Sequence, residues 1–168
     1  MKRIGVLALL FLFVTNNSLF ASVTAGFLTA NGQKAELKYA VAYEIDSTTE
    51  PGFMDVVVVI SDRQITETAV RDREKLETMA KNKELAGLRV VINPDAKVMS
   101  AEPLHSAFKS FIGSALWVKW EPSAYDEKQV AGRFFTDGMQ NEFGQKWQYD
   151  VTFSAPIMLD PEAKNAKQ

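Results

Sequence analysis

His105 is the single histidine in 168 residues, and the chain contains no cysteine. A Ser-His-Asp relay would have to run through His105, and a glycosidase-like site would need two carboxylates at a set separation. Neither comes with a recognisable frame: the chain has no G-x-S-x-G and no H-E-x-x-H. One histidine cannot supply a multi-histidine metal centre, and the missing thiols remove cysteine nucleophiles, zinc ribbons and redox pairs. His105 therefore reads as a loop histidine with an ordinary hydrogen bond, and a small hydrolase built on His105 or scattered carboxylates is the alternative reading. Asp137, Asn141 and Glu142 share one stretch with Gly138 and Gly144, but their spacing fits no EF-hand loop. They read as turn residues, and no cofactor or metal is expected.

Binding chemistry is better represented. Arg133 follows Gly132 and lies between Ala131 and Phe135 on one face of an expected strand, where a guanidinium could clamp an anion. The plainer and preferred reading packs its stem on apolar neighbours and sends its head to water or to an acidic partner such as Asp150 on the next strand. Trp117, Trp120 and Trp147 fall on late strands that should lie near one another. With Arg133 they are the candidate ligand-binding residues, and their competitor is ordinary core.

The elements that would position these groups begin after an export signal. Lys2 and Arg3 precede an apolar run, Ile4 to Val14, which is too short to span a bilayer and is closed by Thr15 to Ser18. Cleavage is expected after Ala21, with Ala25 as the alternative site and an uncleaved anchor as the competing reading. Residues 1–21 are thus a signal peptide, 22–159 one β-rich globular domain, and the polar stretch 160–168 a disordered tail. Removing residues 1–21 takes the formal charge from −2 to −4. A mildly acidic surface without a basic-aromatic patch argues against nucleic acid. The mature form is expected in the periplasm or secreted, with no membrane span.

Asp55 to Ser61 is the pivot. Val56 to Ile60 leave no polar face, so this strand should be central and covered on both sides. Asn31-Gly32 between apolar runs predicts a hairpin whose second strand, Gln33 to Ile45, is long enough to bend or serve two sheets. Thr68 to Lys83 is the one good helix, placed between the third and fourth strands and across the Val57 and Val59 face. Leu88 to Ile92 and Lys97 to Ala101 form a hairpin ended by Pro103. Ser114 to Glu121 is a strand stopped by Pro122, and Gln129 to Thr136 is another. Asp137 to Gly144 turns the chain into Gln145 to Ala155, which alternates Trp147, Tyr149, Val151 and Phe153 with polar residues. The fold class is mostly β: one antiparallel sandwich or partly closed barrel with a single helix, α+β being the alternative.

Val130 to Thr136 (VAGRFFT) and Tyr149 to Pro156 (YDVTFSAP), behind a signal peptide and an Asn-Gly hairpin, resemble small uncharacterised exported bacterial β-rich proteins. The resemblance implies a bacterial extracytoplasmic domain and carries no activity, ligand or site. Since a binding domain needs only a shaped surface while catalysis needs positioned reactive groups, binding is the expected function class. The expected partner is a small apolar or amphipathic ligand, or a protein of the cell envelope.

Overall fold

The computed structural model describes residues 23–109 and 118–159. Residues 1–21, the tail 160–168 and the candidate Trp117 lie outside them. Among the described residues 56% are in strands and 10% in helices, so the chain is mostly β.

Strands β1 (Val23–Ala30) and β2 (Gln33–Leu37) pair antiparallel around Asn31-Gly32. Both turn residues have positive φ, 46° and 83°, as a two-residue hairpin with the natural strand twist requires. The single long strand expected from Gln33 to Ile45 is instead two. The chain breaks at Lys38, and β3 (Tyr39–Asp46) leaves β1 to pair with β4 (Met54–Ser61). Leu37 and Ala40 explain the break, because residues three apart point to opposite faces of a regular strand, yet both belong to the same apolar cluster. Tyr39, just past the break, is 40% exposed.

β4 is buried from Asp55 to Ser61. Val56, Val58 and Ile60 join a large cluster that includes Ala42, Val90, Phe134, Tyr149 and Phe153. Val57 and Val59 join a second one with Val70, Leu76 and Ala80. Those last residues come from two helices, α1 (Glu67–Val70) and α2 (Arg73–Lys81), where one continuous helix was expected. Asp72 divides them: its backbone is extended, and its carboxylate accepts the Lys75 N–H at 3.0 Å, so it caps a new helix instead of continuing the old one. Because the long second strand is two strands, the helices follow the fourth strand and precede β5 (Gly87–Ile92).

Two prolines were expected to end strands and do not. Pro103 lies within β6 (Val98–Leu104), opposite Leu88, and Pro122 lies within β7 (Lys119–Tyr125), opposite Gly132. Both strands are sheet edges with one partner each, where a missing N–H need cost no ladder bond. The register slips between Pro122 and Ala124 to absorb the second.

The turn expected from Asp137 to Gly144 contains a short strand, β9 (Gln140–Glu142), which pairs with β10 (Gln145–Met158). β10 alternates as its sequence predicts, and it organises the sheet. Asp150 to Ser154 pair simultaneously with β1 and with β8 (Gln129–Phe135), which puts those strands on opposite edges of β10. Past the expected end at Ala155, Ile157 and Met158 pair in parallel with Ala42 and Tyr43 of β3. The path β2-β1-β10-β3-β4-β5-β6 stays open, so the strands do not close into a barrel. No helix among the described residues is long and apolar enough to cross a membrane.

Candidate functional site

The two described tryptophans occupy different surroundings. Trp147 is 3% exposed and belongs to the large apolar cluster. Trp120, on edge strand β7, stacks on Phe134 with ring centres 4.4 Å apart, and Phe134 stacks on Phe153 at 5.0 Å. Gly132 makes this stacking feasible, since a Cβ there would sit 2.5 Å from the indole and 2.3 Å from the Glu121 carbonyl oxygen. The Trp120 Nε1 is buried and has no acceptor among the described residues.

Arg133 is bound to Asp150 by two parallel hydrogen bonds of 2.8 and 2.7 Å, with Glu121 at 3.7 Å and the Phe135 ring under its guanidinium at 4.3 Å. The Arg133 hydrogen bonds hold the Asp150 carboxyl below the ordinary aspartate range. A guanidinium that already faces two carboxylates has little positive potential left for a ligand anion.

Open surface chemistry gathers around His105. A solvent-open cleft of about 450 Å³ is lined by Gln33, Lys34, Ala35, Glu36 and Lys38 of the hairpin, by Asp62 and Arg63 after β4, by Lys83, Leu85 and Ala86 before β5, and by His105 and Ser106 after β6. A smaller, mainly apolar one of about 120 Å³ is lined by Ala80, Pro103, Leu104 and Phe108, with Glu77, Lys81 and Lys109 at its rim. His105 lines both. In the larger cleft Arg63 is spent on Asp62 and Lys38 pairs with Glu36, whereas Lys34 and Lys83 make no ion pair among the described residues. Lys83 stands in the left-handed region, φ 63°, closing the turn after α2 with its N–H on the Ala80 carbonyl.

Asp62, His105 and Ser106 therefore share one wall, but they do not form a relay. The Asp62 carboxylate accepts from the Ala86 N–H and from Arg63. The His105 Nδ1 accepts the Ala107 N–H at 3.0 Å, so neutral His105 carries its proton on Nε2. A hydrolytic histidine needs the opposite tautomer, with Nδ1 donating to the acid and Nε2 free to take a proton.

Burial lowers the His105 pKa from its ordinary 6.5, with the Asp62 charge opposing in part. A lowered folded-state value means that the unfolded chain takes up the proton first as the pH falls. The stability that neutral His105 contributes is thus complete above pH 6.5 and lost as the pH drops through the folded midpoint. Titration followed on the imidazole C–H resonances should give a midpoint below 6.5; a midpoint at or above it would contradict the buried setting.

The sequence reads His105 as a loop histidine, with a hydrolase built on it as the alternative, and places no cleft there. Its neighbours across the cleft come from three segments distant in sequence, and no spacing in the chain announces that meeting. Comparison with family models, with curated proteins and with solved structures finds no match for this chain.

Proposed function

We propose that the chain is an exported binding domain, a β-sandwich with α1 and α2 laid over the Val57 and Val59 face. Its ligand site is the pair of clefts that meet at His105. The ligand is amphipathic and carries negative charge: an acidic group faces Lys34 and Lys83, and an apolar part enters the space between Ala80, Pro103, Leu104 and Phe108. One observation carries this reading, namely that an apolar cleft shares His105 with a cleft lined by two ammonium groups that make no ion pair among the described residues, Lys83 and Lys34, the latter 4.7 Å over the Phe27 ring. The bidentate Arg133 pair and the buried Trp147 turn the reading away from the aromatic strands.

Octanoate, which has an acidic head and a short apolar tail, tests it. Added to the 15N-labelled protein at millimolar concentration, it should move the amide resonances of Lys34, Lys83, His105 and Phe108. Shifts centred on Trp120 and Trp147 would move the site to the aromatic residues. No shift anywhere would remove a small amphipathic ligand from the reading.

A further inference from the structure

Strand β2 lines the larger cleft in an informative way. Gln33, Lys34, Ala35 and Glu36 all contribute, although consecutive residues of a strand point to opposite faces. A cleft lying over one face would be lined by every second residue. This one lies against the edge of the strand.

Among the described residues no other strand occupies that edge: β2 pairs with β1 alone. In a two-residue hairpin the residues flanking the turn exchange both backbone bonds, here Ala30 and Gln33. Alternation then directs the backbone groups of Gln33, Ala35 and Leu37 to β1 and those of Lys34 and Glu36 outward into the cleft. One step further along this outward row, the Lys38 N–H already donates to the Ser61 carbonyl at 2.8 Å. The outward row thus already makes one bond to a neighbouring strand, and β4 supplies the acceptor only at Lys38.

We propose that the ligand is an extended peptide segment that adds to β2 as a further strand, with acidic side chains alternating with apolar ones. The proposal rests on the cleft being the binding site. The outward N–H and C=O groups of Lys34 and Glu36 supply the main-chain bonds. The ammonium groups of Lys34 and Lys83 select the acidic side chains, and the exposed Glu36–Lys38 pair, 3.2 Å, is weak enough to open for them.

The probe is the blocked pentapeptide Thr-Glu-Val-Glu-Thr, compared with its Lys-for-Glu counterpart and with a version N-methylated at alternate residues. Binding to the whole protein is measured by titration calorimetry, and octanoate is run in parallel. The acidic peptide should bind, and the Lys peptide should bind at least tenfold more weakly. N-methylation should weaken binding about tenfold, the loss expected for one or two main-chain bonds. Glu36→Pro removes an outward N–H without touching the β1 ladder, and it should produce a similar loss on the protein side. Because the methylated peptide acts on unaltered protein, the test stands even if Glu36→Pro does not fold. Equal binding of parent and methylated peptide overturns strand addition while leaving the cleft in place, as does octanoate binding with no peptide binding. If neither peptide nor octanoate binds, the cleft itself is wrong.

Discussion

Val58→Asp will yield no folded protein. Val58 is fully buried, lies opposite Ala42 on β3 and Val90 on β5, and belongs to the large apolar cluster. Burying the valine contributes about 1.5–3 kcal/mol, which the substitution forfeits. The carboxylate must in addition give up its hydration, at a cost of several kcal/mol, in a place where no cation faces it. The sum is comparable to the whole stability of a domain, about 5–15 kcal/mol. Thr152 on β10 is the control, since it is exposed while its neighbours Val151 and Phe153 are buried. Thr152→Asp should cost less than about 1 kcal/mol. Circular dichroism and a thermal melt decide: a cooperative Val58→Asp melt near that of the parent would show that β4 is not central.

The double coverage of β4 was legible because Val56 to Ile60 offer no polar face, and physics leaves such a strand only one kind of position. The hairpin at Asn31-Gly32 and the alternation of β10 were legible for related reasons: each is a local pattern with few structural solutions. The break at Lys38 was not. It follows from Leu37 and Ala40 being needed in the same cluster, a demand set by β1, β4 and β10 and written nowhere near residue 38. Pro103 and Pro122 misled because a proline ends a strand only if both edges are wanted, and edge status is a property of the sheet. The cleft at His105 had the faintest signal of all. The cleft lies on the edge of β2, and its other walls arrive from residues 62–63, from 83, 85 and 86, and from 105–106.

Glu102→Ala should be the most destabilising change at a charged residue. Glu102 is 6% exposed and sits on edge strand β6 opposite Arg89 of β5. One of its oxygens accepts from Arg89 at 3.1 Å, and the other meets Arg73, the first residue of α2, at 3.0 Å. The carboxylate thus ties α2 to the sheet. Removing it leaves the Arg89 guanidinium, 12% exposed and already short of an acceptor at Nε, without a counter-charge among the described residues. Breaking a buried pair from one side costs about 3–5 kcal/mol. The pair as a whole is worth much less, because both ions lost their water when it formed. Arg89→Met combined with Glu102→Leu should therefore recover most of the loss. Urea denaturation of the two variants and the parent separates these terms. The loss should change little between 0.05 and 0.5 M salt, since a buried pair is poorly screened. A Glu102→Ala loss below about 1 kcal/mol, or one that salt erases, would mean that water reaches the pair and that α2 is held to the sheet by Leu76 and Ala80 alone.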